Sequence, residues 1–161
     1  MDIHENWADV KAIFKASYKT SFHYAVATVN ENGEPHVTPI GSLMLGEPGF
    51  GFYFEKFTRQ LPRNLDNNKQ VCILAVNSSQ WFWLKSLFGG RFASFPAIRL
   101  YGTAGEARPA DEREIALWRN QVKQVKFTKG HALMWGEMTR VREIAFTRIE
   151  PVHIGEMTHG L

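Results

Sequence analysis

The sequence lacks several features that would assign it to a common class of site or compartment. It has a single cysteine, Cys72, so no disulfide can form within the chain. No apolar run approaches the length of a membrane-spanning helix. The stretch from Met1 to Glu5 has neither the basic nor the apolar region of a signal peptide. We therefore expect a cytoplasmic protein with no membrane partner.

Common catalytic and metal-binding patterns are also missing. None of the six histidines pairs with another histidine or with cysteine at a metal-ligand spacing, so we expect no metal site. Neither a Gly-x-Ser-x-Gly turn nor a glycine-rich phosphate loop occurs. The formal charge of +3 is mild, and the basic residues form no long run. Nucleic acid is therefore not an expected partner, and core packing explains the aromatic residues of the strands better than base stacking does.

What the chain does contain is enough apolar sequence for a core. Hydrophobic residues make up 44% and charged residues 22% of 161 positions, as expected for one domain spanning residues 1–161. Helical spacing of apolar residues predicts a helix from about Trp7 to Tyr18, with Asn6 as its cap. A second helix is predicted from Pro62 to Asn68, and a third begins at Pro109 and reaches Val125 and Lys126. Strands are predicted over residues 24–29, 36–45, 50–54, 71–76, 98–106 and 142–154.

The turns and irregularities between these strands indicate how they pair. Asn32-Gly33 is a strong hairpin signal between the first two strands. Pro39 indicates an edge strand, a bulge or a ligand-facing position. Gly102 and Gly105 predict bends or bulges, and the apolar alternation of the last strand slips near Arg148. We expect a mainly β fold, an antiparallel barrel with flanking helices, because closure removes exposed edges.

Two apolar segments have more specific interpretations. The continuous run from Val71 to Val76 suggests a strand buried on both faces, in which Cys72 is a small buried hydrophobe. The segment from Ser78 to Phe95 carries many large apolar groups and reads as a loop or short helix. It could cover the core, line a pocket or be buried in a partner subunit, and the sequence leaves these alternatives open.

The run from Thr58 to Asn64 is the strongest candidate site. It lies between an aromatic strand and a predicted helix start, where unpaired backbone N–H groups favour anions. Arg59 and Arg63 add guanidinium groups that suit phosphate, and Thr58 adds a hydroxyl group. A capped helix with two solvated arginines is the alternative interpretation.

The order of elements around this run resembles a known family. Residues 27–36 read Ala-Thr-Val-Asn-Glu-Asn-Gly-Glu-Pro-His, and residues 52–60 read Phe-Tyr-Phe-Glu-Lys-Phe-Thr-Arg-Gln, followed by Asn64 and Asn67-Asn68. Together they resemble the hairpin and the strand-to-helix turn of the pyridoxamine 5'-phosphate oxidase-like family of FMN-binding split barrels. The resemblance covers roughly residues 20 to 106.

This resemblance implies a homodimer that binds FMN in a groove between the subunits, and a small-molecule substrate. It implies that Thr58 and Arg59 hold the FMN phosphate, and that Tyr53 and Phe54 lie under the ribityl chain. The residues expected beside the isoalloxazine ring are Thr38, Pro39, Ile40 and Gly41. His36 and His131 are further candidates for the groove.

The chain also departs from the family pattern. Gln60 stands where the family has a phosphate-binding lysine, and Arg63 is the candidate to compensate for it. Arg99 is the candidate to replace a flavin-contacting glutamine, whose place falls near Ala97. The C-terminal elements of the vitamin B6 oxidases have no match around residues 152–155, so pyridoxamine phosphate is not the expected substrate. The leading hypothesis is a flavin-dependent oxidoreductase; the alternative is a non-catalytic module that stores or senses a flavin, a haem or another planar ligand.

Overall fold

The computed structural model describes residues 1–123 and 138–161 of the chain. Four α-helices, a short 3-10 helix (Gly155–Thr158) and seven strands are found in these ranges. The helices are α1 (Trp7–Ser21), α2 (Gln60–Asn67), α3 (Gln80–Gly89) and α4 (Glu112–Gln121). The strands are β1 (Tyr24–Val29), β2 (Pro35–Ile40), β3 (Met44–Leu45), β4 (Phe50–Phe54), β5 (Gln70–Val76), β6 (Ala97–Pro109) and β7 (Arg140–Pro151). The predicted helix residues Val125 and Lys126, and His131, lie outside the described ranges.

The strands form one antiparallel sheet in the order β2-β1-β5-β6-β7-β4-β3. The prediction of a mainly β, antiparallel fold with flanking helices is therefore confirmed. The sheet is not closed by pairing between its ends, since β2 and β3 are its two edges within the described strands. Only residues 41–43 join these edges, so the sheet curls back on itself without removing them.

The β1–β2 hairpin forms around Gly33 as predicted, and Pro39 lies on an edge strand. The single strand predicted over residues 36–45 is wrong, because the chain breaks between β2 and β3. At this break a Cβ atom on Gly41 would lie 2.8 Å from the Phe22 carbonyl oxygen, so the two backbones approach closely. Ser42 follows, and its buried hydroxyl group bonds to the backbone of Phe54.

The bends predicted in the long strands are confirmed. The β6–β7 register shifts between Tyr101 and Gly102 and again between Ala104 and Ala107, a span that includes Gly105. The first shift pairs Tyr101 with Arg148 and Gly102 with Phe146, which explains the slip in apolar alternation near Arg148. A Cβ atom on Gly102 would lie 2.4 Å from the Ala145 carbonyl oxygen, so the bulge requires glycine there.

Two predicted helix starts and one predicted side-chain cap need correction. Helix α2 begins at Gln60, so Pro62 is its third residue; proline fits there because the N–H groups of a first turn have no partner within the helix. Pro109 ends β6, and α4 begins at Glu112 with Asp111 and Glu114 forming a capping box. Asn6 does occupy the N-cap position of α1, but its side chain donates to the Asp2 carbonyl and caps nothing.

The core has two parts, one on each face of the sheet, since Tyr53 belongs to the main cluster and its neighbour Phe54 to the second. Its main cluster is formed by α1, α2 and the inward residues of the strands, and a second cluster joins Phe54 and Val141 to Trp118 of α4. Strand β5 alternates: Val71, Ile73 and Ala75 are buried, whereas the residues between them are half-exposed. The prediction of burial on both faces is therefore wrong, and Cys72 is half-exposed.

The segment from Ser78 to Phe95 contains helix α3, capped by Ser79. Phe82 and Trp83 pack on Phe92, whereas most of the other large side chains of α3 are exposed. The segment therefore covers the domain only in part. In the described ranges, α3 and the other helices are too short or too polar to cross a bilayer.

Candidate functional site

The strongest candidate site lies where β4 leads into α2. Phe57 adopts a left-handed backbone conformation with φ of 67°, which turns the chain sharply before Thr58. The hydroxyl oxygen of Thr58 is shielded from solvent and has no hydrogen-bond partner among the described residues. Because buried polar atoms are nearly always hydrogen-bonded, this hydroxyl group is suited to a bound ligand.

The start of α2 adds further unpartnered donors. Arg59 is the N-cap residue, and no side chain caps the helix. The guanidinium groups of Arg59 and Arg63 are exposed, and neither has a carboxylate partner among the residues that the structure describes. A helix N-terminus flanked by two unpaired guanidinium groups attracts anions.

Helix α2 is fixed to the sheet by a chain of side-chain hydrogen bonds. Gln60 donates to the Asn64 side-chain oxygen at 2.7 Å, and Asn64 donates to the Thr28 hydroxyl group at 2.9 Å. Asn64 and Thr28 are buried, so this chain sets the position of the helix start. The Gln60 amide group is thus already engaged, and the side chain holds Asn64 in place.

A buried arginine of β7, Arg142, supports the same turn from the core side. Arg142 of β7 donates to both oxygens of Glu55, at 2.7 and 3.3 Å, and to Asp66 of α2 at 3.0 Å. A third group of Arg142 donates to the Gly105 carbonyl oxygen at 3.1 Å. The network therefore links both flanks of the turn at residues 56–59 to β6 and β7.

Burial and charge in this network shift the pKa values of its members. Burial, followed by the charge of Glu55, raises the pKa of Tyr53 well above its usual range, and Tyr53 donates its hydroxyl proton to Glu55. Burial alone would lower the pKa of Arg142, but the hydrogen bonds to Glu55 and Asp66 outweigh it and raise that pKa. Both groups therefore keep their protons, and the network acts as a fixed brace.

The β2–β3 connection is brought to the same place. Ser42 joins it to the backbone of Phe54, three residues before Phe57. Thr38 lies opposite Val26 on the concave face, and its hydroxyl oxygen is 3.3 Å from the His36 ring nitrogen Nδ1. His36 lies opposite Thr28, the residue that anchors α2. The structure thus brings Thr38 and His36 to the side of the sheet that carries the helix start.

The other predicted site residues have different surroundings. The side chains of Ile40, Tyr53 and Phe54 are buried in the two core clusters and are not exposed to a ligand. Pro39 is exposed on the opposite face of β2 from Thr38. Arg99 lies on the convex face, where it pairs with Leu74 and Glu150, and its guanidinium group is 3.0 Å from a Glu150 oxygen. The structure does not bring Arg99 to the Thr58 turn.

The comparisons with known proteins agree with this geometry. A profile for pyridoxamine 5'-phosphate oxidase matches residues 11–153 of the chain. The chain belongs to the pyridoxamine 5'-phosphate oxidase-like family. The open antiparallel sheet described above is therefore the split barrel of this family. A comparison with curated proteins returned no match.

Solved structures with this fold carry different ligands in their names. An FMN-binding protein from Syntrophomonas wolfei is 12% identical, with a TM-score of 0.60 over 93% of this chain and 94% of that one. An F420 reductase is 13% identical, with a TM-score of 0.54 over 80% and 88%. The haem storage protein HutZ from Vibrio cholerae is 16% identical, with a TM-score of 0.50 over 94% and 95%. At these identities the likeness establishes the fold.

The turn at Thr58 has the donors that a phosphate group requires. A phosphate oxygen would accept from the Thr58 hydroxyl group, which has no other described partner, and from N–H groups at the uncapped start of α2. Arg59 and Arg63 would supply the countercharge. The residues present therefore fit the phosphate end of a flavin mononucleotide.

Proposed function

We propose that this protein binds FMN and acts as a flavin-dependent oxidoreductase on a small-molecule substrate. The observation that carries the proposal is the Thr58 hydroxyl group, buried without a described partner at a helix start that also carries the unpaired Arg59 and Arg63. Membership of the family supports FMN in preference to an unrelated phosphate compound. Bound FMN would supply the electron transfer, while the protein would bind it, orient it and limit its contact with water.

In this proposal the residues have separate tasks. Thr58, Arg59 and Arg63 hold the phosphate group, whereas Gln60 and Asn64 fix the helix start that presents them. Thr38 and the backbone of residues 39–41 border the ring, with Ser42 tying this connection to β4. Arg142 supports the turn from the core side and touches no ligand.

Titration of the purified protein with FMN, followed by visible absorption and flavin fluorescence, tests the proposal. We expect the variants Arg59→Ala and Arg63→Ala each to weaken binding by roughly tenfold, since a charged hydrogen bond to phosphate is lost. Thr58→Val should weaken it as well, because it keeps the volume and removes the donor. Arg113→Ala, an exposed arginine on α4, is the matched control and should bind as the wild type does. Wild-type protein that binds no FMN would refute the proposal.

Catalysis needs a separate measurement. If the protein is an oxidoreductase, NADH, NADPH or another reductant should bleach the absorption of bound flavin, and a suitable acceptor should restore it. If no biological reductant reduces the bound flavin, the protein binds FMN but is not an oxidoreductase, which would contradict the proposal.

We further propose that two copies of the chain form the functional unit. The convex face of the sheet supports this, because Leu74 and Val76 on it are only half-buried and Val37 of the edge strand is 61% exposed. Such an apolar face is suited to a partner subunit. Light scattering should give the mass of a dimer, and Val37→Glu should shift it toward the monomer. A wild-type monomer would contradict this part.

A second candidate is non-catalytic storage of haem. It is favoured by the shared fold of the haem storage protein from Vibrio cholerae and by His36, a residue type that ligates haem iron, beside Thr38. Addition of haemin distinguishes the two functions. A Soret shift that is lost in His36→Ala, with no change on adding FMN, would favour storage.

A further inference from the structure

Helix α3 carries a continuous apolar surface that the rest of the described chain leaves uncovered. We name it the α3 face: Trp81, Leu84, Leu87 and Phe88. Their exposed fractions are 75%, 47%, 61% and 92%. At about 100° per residue these four side chains share an arc of about 120° around the helix axis. A continuous patch of this kind on one helix usually marks a contact surface.

The opposite side of α3 fixes the helix to the domain. Ser86 is buried, and the rings of Phe82 and Trp83 pack against Phe92, with centroids 5.4 and 5.2 Å from its ring centroid. The Trp83 indole group donates to the Asn77 carbonyl oxygen at 2.7 Å. The α3 face therefore points away from the side by which the helix packs on the domain.

The surroundings of this face are cationic. No aspartate or glutamate occurs between Asn67 and Gly105. Of the cations in this stretch, Lys69 and Arg99 pair with Glu106 and Glu150, whereas Lys85 and Arg91 have no carboxylate partner among the described residues. Lys85 borders the α3 face directly. A groove of about 490 Å³ next to it is lined by Lys85, Arg91 and His159, and no acidic side chain lines it within the described ranges.

Contrary to the expectation of no membrane partner drawn from the sequence, we propose that α3 is a membrane-interface helix that docks on bilayers containing anionic lipid. The α3 face would enter the boundary between headgroups and acyl chains, where tryptophan, phenylalanine and leucine are favoured. Lys85 and Arg91 would contact the lipid phosphates, with each cation near an anionic surface adding to the affinity. This function is independent of what the Thr58 turn binds.

The charges favour a bilayer over a second copy of the chain. A two-fold contact through the α3 face would place Lys85 and Arg91 near their own counterparts, with no acidic residue of this segment to compensate. A helix of ten residues is about 15 Å long, too short to span a bilayer, so it would lie in the plane of the interface.

Co-sedimentation with lipid vesicles tests the proposal on the full chain. We expect binding to phosphatidylcholine vesicles with about 30% phosphatidylglycerol, and much weaker binding to phosphatidylcholine alone. Phe88→Ser should lower the partition coefficient roughly tenfold, because it removes an aromatic side chain from the apolar contact. The double variant with Lys85→Gln and Arg91→Gln should lower binding to the anionic vesicles roughly tenfold. Phe50→Ser, which truncates an exposed phenylalanine on β4 outside the α3 face, is the control and should bind as the wild type does.

Four results would overturn the proposal. They are no binding of the wild type to anionic vesicles, equal binding to neutral vesicles, a Phe88→Ser variant that binds like the wild type, and a Phe50→Ser variant as impaired as Phe88→Ser. Light scattering tests whether a second copy of the chain covers the α3 face instead. If the wild type binds no vesicles and Phe88→Ser lowers the mass of its assembly, a second copy covers the face and the membrane proposal fails.

Discussion

Replacing Arg142 by methionine should cost this protein a large part of its stability. The side chain is 1% exposed, and it donates to Glu55, Asp66 and the Gly105 carbonyl oxygen. Without it, the Glu55 carboxylate, which is 11% exposed, would keep the Tyr53 hydroxyl group as its one side-chain donor among the described residues. The Asp66 carboxylate is 58% exposed and can be hydrated instead, so loss of its ion pair with Arg142 adds little to the cost.

The magnitude follows from this uncompensated carboxylate. Removing one partner of a buried ion pair costs about 3 to 5 kcal/mol, and we expect the lower end because Glu55 keeps some contact with water. In urea, where unfolding free energies fall by about 2 kcal/mol per molar, the midpoint of Arg142→Met should drop by about 1.5 M. Arg148→Met on the same strand is the matched control, since that arginine is 56% exposed and pairs with a half-exposed Glu150. Its cost should stay within about 1 kcal/mol.

A double variant separates charge burial from lost packing. Adding Glu55→Gln to Arg142→Met removes the stranded negative charge, so the double variant should be more stable than Arg142→Met alone. This role of the network is refuted if the unfolding free energy of Arg142→Met lies within about 1 kcal/mol of the wild-type value. It is also refuted if adding Glu55→Gln lowers the unfolding free energy further.

Three other perturbations have defined outcomes. Asn64→Ala should lower the free energy of unfolding in urea by about 1 to 3 kcal/mol and should weaken FMN binding, because it leaves Thr28 and Gln60 unpaired at the helix start. Asn67→Ala, on the exposed side of α2, is the control and should change neither quantity. Hydrogen bonds from Arg108 lower the pKa of Glu114, so this carboxylate stabilises the fold above its unfolded pKa and loses that effect as the pH falls through its folded pKa. The stability gap between wild type and Glu114→Gln should therefore narrow on acidification from pH 6 toward about pH 3, and a constant gap in denaturant melts would contradict this. Burial raises the pKa of the Cys72 thiol, so its alkylation at pH 8 should be several-fold slower than in urea-unfolded protein, and equal rates would contradict it.

Local signals in the sequence predicted most of the secondary structure. The Asn32-Gly33 turn, the edge position of Pro39 and the two glycine bulges are each determined by the conformation of one or two residues. Helix starts were less predictable, because proline is favoured at the first position of a helix but is not confined to it. In α2, Pro62 is the third residue, and in α4 the cap is Asp111 rather than a residue next to Pro109. The break at Gly41 depends on the Phe22 backbone, which no local pattern shows.

The candidate site divides in the same way. The phosphate-binding character of Thr58, Arg59 and Arg63 can be recognised from residue types at a strand-to-helix turn. The hydrogen-bond network of Arg142 next to this turn could not be predicted from the sequence, since the partners of Arg142 are the distant residues 55, 66 and 105. One signal was present: Arg142 is in phase with Ile144 and Phe146, so period-two alternation places a charged side chain on the core face of β7. A charge at such a position indicates buried partners.

The edge strand β2 has a consequence for the behaviour of the protein at high concentration. Pro35 and Pro39 are four positions apart, so both missing N–H groups fall on the same side of the strand. That side must be the open one, because the other side pairs with β1. Of the three residues whose N–H groups would face outward, only Val37 can then donate. A foreign strand meeting this edge finds acceptors but almost no donors, which protects the native protein against edge-to-edge growth into fibrils.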